Sequence, residues 1–231
     1  MRPQPPSTPA EAEALGDRFA REHDIDDYYA RSSWPIRLVE QRRLAVVRAL
    51  VAAEPGERIL EIGCGGGHVL RLFPQAELVG VDVSGVVLDK ARRNLAGYRV
   101  ELLKGELDAL GLPEASFDKV VCTEVLEHTA CPERILEHAR RLLRPSGRAV
   151  VTFPNDRLIG RLKGAIRHSP LRLLPTFRRV DWGGDEYHFH VWSPSEMRAL
   201  LSCHFAIERE AFAPARLLPI RCCFRCAPAA R

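Results

Sequence analysis

The run Arg58-Ile59-Leu60-Glu61-Ile62-Gly63-Cys64-Gly65-Gly66-Gly67-His68 sets the architecture for the rest of the chain. A short apolar stretch enters a turn of nearly pure glycine and leaves it through Val69, Leu70 and Leu72, which predicts strand, tight loop, helix. Glycine tolerates positive φ and carries no Cβ, so a ligand can lie against bare N–H groups where the helix starts. The loop is therefore expected to bind a nucleotide-like ligand. A dinucleotide fingerprint would place its third glycine where His68 stands, and a P-loop would end in Gly-Lys-Ser/Thr, which is missing.

Glu61, just ahead of the first glycine, would repel a pyrophosphate but suits a ligand bearing an ammonium, as S-adenosylmethionine does. Further on, Leu78-Val79-Gly80-Val81-Asp82 reads as a second strand ending in an acid, at the place where such folds hydrogen-bond the ribose hydroxyls. With Glu61-x-Gly63-x-Gly65-x-Gly67, with Lys104-Gly105-Glu106-Leu107, with Ser116–Cys122 like the fourth strand and Leu142–Arg148 like the turn into the fifth, the chain resembles the class I S-adenosylmethionine-dependent methyltransferases over about Gln41 to Asn155. Glu124-Val125-Leu126-Glu127-His128 is similar to the ubiquinone-biosynthesis O-methyltransferases, and so is Trp34-Pro35-Ile36-Arg37.

The resemblance implies an α/β fold: a Rossmann-like, seven-stranded, mostly parallel sheet with helices on both faces, an N-terminal helical cap and an insertion after the fifth strand. Strands are expected near 58–62, 77–82, 99–103, 119–122, 148–153, 206–211 and 217–226, and helices near Val69 and over 86–94, 131–143 and 193–201. A disordered lead-in over 1–9, holding four prolines, would precede a single domain over 10–231, with the cap at 10–53 and a substrate lid at 156–192. The implied cofactor is S-adenosyl-L-methionine, held by Arg37, Glu61, Gly63, Cys64, Gly65, Asp82, Val83, Glu106, Leu107 and Thr123. Cys64 reads as a small loop residue rather than a nucleophile, since methyl transfer needs no covalent intermediate on the protein.

Three histidines are candidates for the base that takes a proton from an attacking hydroxyl, because imidazole titrates near neutrality: His128, His188 and His190. On a helical turn, Glu124, Glu127 and His128 would share one side. That trio could also hold a divalent metal, but no metal ligand is assigned. His188 and His190 alternate with Tyr187, Phe189 and Val191 as an extended segment would. Cys223 and Cys226 have zinc-ligand spacing without a partner pair, so they read as small buried side chains.

A net charge of +4 is too mild to indicate nucleic acid, and no base-gripping motif is present. Seven scattered cysteines, no long apolar run and no signal-peptide core point to a reduced, cytoplasmic setting. Arg157, Arg161, Lys163, Arg167, Arg172, Arg178 and Arg179 crowd the stretch from Arg157 to Val180, which has no acid at all. With Leu158, Ile159, Leu162 and Ile166 on one arc, the stretch suits a lid or a peripheral contact with the inner face of an anionic membrane. The expected activity is methyl transfer to an oxygen of a small-molecule or lipid-linked acceptor. N- or C-methylation in a natural-product, quinone or glycan pathway is the alternative, as is a protein that binds the cofactor without turnover.

Overall fold

The computed structural model describes residues 4–22, 32–174 and 187–229. In chain order the elements are α1 (Pro9–Glu22), α2 (Trp34–Val51), β1 (Arg58–Ile62), β2 (Glu77–Asp82), α3 (Gly85–Asn94), β3 (Val100–Lys104) and β4 (Phe117–Thr123). They continue with α4 (Pro132–Leu142), β5 (Leu143–Pro154), α5 (Asp156–Arg167), α6 (Pro194–Ser202), β6 (Phe205–Ala215) and β7 (Leu218–Pro228). One seven-stranded sheet runs in the order β3-β2-β1-β4-β5-β7-β6. Strands β1 to β5 are parallel, while β7 pairs antiparallel with both β5 and β6.

The central strands are buried on both faces, which is why β1 and β4 read as near-continuous apolar runs rather than alternating ones. Alternation still sorts their side chains. Leu60, Val120, Cys122 and Val151 pack with α4 and α6, whereas Ile59, Val121 and Val150 pack with α2 and α3. Each α-helix that covers the sheet begins with readable chemistry. Ser84 caps α3 by accepting from Val87 N, Pro132 opens α4, and Ser193 with Glu196 forms a full capping box on α6.

The helix expected after the glycine loop is reduced to a single 3-10 turn, Leu70–Leu72. The chain must reach β2 by Glu77, and Pro74 cannot continue a helix, so the return is made in one tight turn. The loop N–H groups are then not splayed at a helix start: Gly67 N donates to Cys64 O, Cys64 N to Val81 O, and Arg71 N to Gly67 O. Among the described residues no helix is long and apolar enough to cross a membrane.

Candidate cofactor and acceptor site

The right-handed crossovers of a parallel sheet bring its loops together at the carboxyl ends of the strands. There the glycine loop bends at Gly63, whose φ is +66°, and a Cβ on Gly63 would stand 2.4 Å from Val125 Cγ2. Glycine alone lets β1 turn this close to the segment that follows β4. Asp82, at the end of β2, ties the loop down, accepting from Gly65 N and from Ser84 N, both at 2.9 Å. Burial raises its carboxyl above the ordinary value, with the backbone donors working against it. Gly105 N donates to Asp82 O, so the turn carrying Glu106 and Leu107 is joined to the same point. Leu107 is buried, and Glu106 and Val83 are half-buried.

Glu61 is 2% exposed. Thr123 Oγ1 donates to its Oε1 at 3.5 Å, while Oε2 is buried with no hydrogen-bond partner among the described residues. Burial pushes this carboxyl well up, and the Arg43 guanidinium pulls it back. A buried acceptor left unsatisfied is costly, so the site suits a donor that the described residues do not supply. An ammonium group is such a donor, and the residues present fit S-adenosylmethionine on that ground. Cys64 points its side chain into the core, where burial raises the thiol, so only its backbone faces the loop.

Arg37 lies exposed on α2. Arg43, which sequence reasoning passed over, is buried on the inner face of the same helix. Its Nε pairs with Glu40 Oε2 at 2.8 Å, and Glu40 Oε1 pairs with Arg221 of β7 at 2.9 Å. Although Glu40 is buried, Arg221 and Arg43 together hold its carboxyl below the usual range. Arg221 reaches Glu124 Oε2 at 2.9 Å, and Thr152 Oγ1 donates to the other oxygen of Glu124 at 2.9 Å. The buried spacing Glu40, Arg43, Val47, Leu50, Val51 was a legible signal, because it places two charges on the apolar arc of a helix.

Beyond β4 the backbone kinks at Glu124, whose φ is +55°, and Leu126–His128 forms a 3-10 turn. Glu124, Glu127 and His128 therefore do not share a side as a helical turn would place them. Glu124 swings toward Arg221, Glu127 goes under the turn, and His128 faces the segment that precedes α6. Phe189 N and His190 N both donate to Glu127 O, which pins that segment in place. Tyr187 and Phe189 are buried and His188 and His190 half-buried, matching the expected alternation.

His128 and His188 meet, with ring centroids 4.8 Å apart and planes at 70°. His128 Nδ1–H donates to Tyr187 O at 2.9 Å, and His188 Nδ1–H donates to Asp156 Oδ2 at 2.7 Å. His190 is turned elsewhere, its Nε2–H donating to Thr129 O at 3.0 Å and its ring stacked on Trp192. Glu127 is 1% exposed and neither carboxylate oxygen has a hydrogen-bond partner among the described residues. Burial, reinforced by Glu124, pushes its carboxyl well up. Glu127, His128 and His188 each offer a ligand atom within 4.8 Å of the others, a set able to take a cation. Cys222, Cys223 and Cys226 are buried in β7 instead, and burial raises the Cys222 and Cys226 thiols to about 12.

Helix α1 lies over this end of the sheet. Ser84 Oγ donates to Asp17 Oδ1 at 2.6 Å, Phe19 packs on His128 and Tyr187, and the Tyr187 hydroxyl donates to Glu22. On the other flank, α5 keeps Leu158, Ile159, Leu162 and Ile166 half-buried, and beyond it Leu171, Leu173 and Leu174 are exposed. Arg157 pairs with Glu196 at 2.7 Å. Arg178 and Arg179 of the basic stretch lie outside the described residues.

Fold and site together define a Rossmann-like domain with a candidate cofactor site at the carboxyl ends of its parallel strands. Residues 60–151 match the methyltransferase domain family. An uncharacterised transposon protein of Streptomyces fradiae is 39% identical over 111 residues, 45% of this chain and 32% of that one. The ubiquinone biosynthesis O-methyltransferase of Bordetella avium is 29% identical over 174 residues, 71% of this chain and 68% of that one. This chain thus spans between about a third and about two thirds of these relatives. Magnesium protoporphyrin IX methyltransferase from Synechocystis, solved with bound S-adenosylhomocysteine, shares the fold at TM-score 0.67 and 17% identity over 94% of this chain and 99% of its own. Residues 60–151 thus carry a methyltransferase domain, and the residues around its glycine loop fit S-adenosylmethionine.

Proposed function

We propose that this protein transfers the methyl group of S-adenosylmethionine to a hydroxyl oxygen of a small-molecule or lipid-linked acceptor. The observation that carries this reading is the meeting of His128, in the turn that follows β4 and Val125, with His188 of the segment before α6. An oxygen acceptor must shed a proton as it attacks, and imidazoles at that place can receive it. Placement of donor and acceptor in line supplies most of the remaining rate. The similarity to ubiquinone O-methyltransferases over Glu124–His128 supports the choice of oxygen.

The arrangement beyond β5 favours a lipid-linked acceptor. Leu171, Leu173 and Leu174 are exposed beside Arg161, Arg167 and Arg172, so apolar and cationic groups face solvent together, as they do on surfaces that rest on anionic bilayers. The test is incubation of the protein with methyl-labelled cofactor and with the aqueous and lipid fractions of a cell extract, each analysed by mass spectrometry. The expected product is an O-methylated compound in the lipid fraction. Label on nitrogen or carbon, or none in either fraction, would contradict the proposal.

A further inference from the structure

Side chains along β4 alternate between the two faces of the sheet until the strand ends. Val120 and Cys122 pack on the α4 and α6 side, and Val121 packs on the α2 and α3 side. Continued alternation would drive Glu124 into the apolar cluster under α4 and α6, and Val125 to the opposite side. The reverse is seen. Val125 packs on the α4 and α6 cluster. Glu124 reaches Thr152 of β5 and Arg221 of β7. Two residues along those strands, Val150 and Cys223 lie on the α2 and α3 side, which places Thr152 and Arg221 there too. One dihedral makes the exchange, the +55° φ of Glu124.

A left-handed φ on a residue other than glycine is strained and persists only where its surroundings over-determine it. Thr152 Oγ1 donates to Glu124 Oε1 at 2.9 Å, Arg221 Nε stands 2.9 Å from Oε2, and Glu124 N donates to Thr152 O at 3.1 Å. Arg221 is fixed in turn by Glu40 of α2 at 2.9 Å. What the kink delivers is Val125. Its Cγ2 would stand 2.4 Å from a Cβ on Gly63, so the valine takes up the space that the glycine leaves and backs the bend of the loop. Resting on the reading that this loop holds the cofactor, we infer that Glu124 is a positioning residue for it: the latch to Arg221 and Thr152 keeps the turn left-handed, and the turn seats Val125 against Gly63. Glu124 needs no contact with the ligand for this. Through Arg221 and Glu40 it ties the shape of the glycine loop to the seating of α2 on β7.

The test compares two substitutions that remove the same side chain, Glu124→Ala and Glu124→Gly. Both lose the latch, but only glycine takes a left-handed φ without strain. In titration calorimetry with S-adenosylhomocysteine, Glu124→Ala should bind about 10- to 30-fold more weakly than wild type. Glu124→Gly should bind only about 2- to 5-fold more weakly. Methyl NMR without ligand should show the contact of Val125 with Gly63 in wild type and Glu124→Gly, and its loss in Glu124→Ala. Failure of Glu124→Ala to fold, with Glu124→Gly folding and binding, is the same ranking carried further. Arg221→Gln should weaken binding by wild type and weaken it less in Glu124→Gly, where no latch is needed. Equal affinity or equal failure to fold in the two Glu124 variants, or a Val125 contact that survives in Glu124→Ala, would overturn the inference. Wild type that fails to bind S-adenosylhomocysteine sinks the cofactor reading instead, while the Val125 contact still decides whether the latch holds the turn.

Discussion

At the scale of single residues, Gly63 and Gly65 make a controlled comparison. Both have positive φ, +66° and +49°, yet a Cβ on Gly63 would strike Val125 whereas one on Gly65 meets nothing within 4 Å. Forcing an L residue into the left-handed region costs about 1–2 kcal/mol. Gly65→Ala should bear that cost alone, a drop of roughly 2–8 °C for a chain of this size. Gly63→Ala adds a steric clash and should fall further. Equal melting temperatures for the two variants would contradict the account of the loop. The strand-end placement of Glu61 and Asp82 was legible because motif spacing and strand pattern fix them together. Arg43 and Asp156 were not, since their roles depend on partners at Glu40 and His188 that only folding brings near.

At the scale of elements, α1 is the part whose seat is least secured by apolar burial, because Ala20 is its one buried residue among those described. Polar contacts hold it, above all Asp17 on Ser84. The Ser84 hydroxyl bond holds the Asp17 carboxyl below its ordinary value, against a smaller opposing effect of burial. A lowered folded value means the contribution is complete above the unfolded pKa, about 3.9, and is lost as pH falls through the lowered one. Hydrogen exchange should therefore show α1 losing protection in acid, and in Asp17→Asn at neutral pH, while β1 and β4 stay protected. Unchanged exchange over Pro9–Glu22 in that variant would remove Asp17 as the anchor. Most element boundaries were readable from caps and periodicity. The helix after the glycine loop was not, because the short return to β2 overrides the apolar pattern of Val69, Leu70 and Leu72.

At the scale of the whole molecule, strand order gathers into one place residues far apart in the chain. The antiparallel insertion of β7 between β5 and β6 brings Arg221 to Glu124 and Glu40, so α2 is clamped over the same end of the sheet that carries the glycine loop. The parallel strands were legible as short apolar runs, and the two C-terminal strands by family resemblance. How the cap and the basic stretch sit over the site was not, because long-range ion pairs decide it. The central claim is that the glycine loop, Glu61 and Asp82 hold S-adenosylmethionine. Calorimetric titration of S-adenosylhomocysteine into wild type and Asp82→Ala tests it most directly. The account predicts one bound ligand per chain, weakened by about 1–3 kcal/mol in Asp82→Ala because buried polar groups lose their partner. No binding by wild type, or equal affinity in the two proteins, would contradict it.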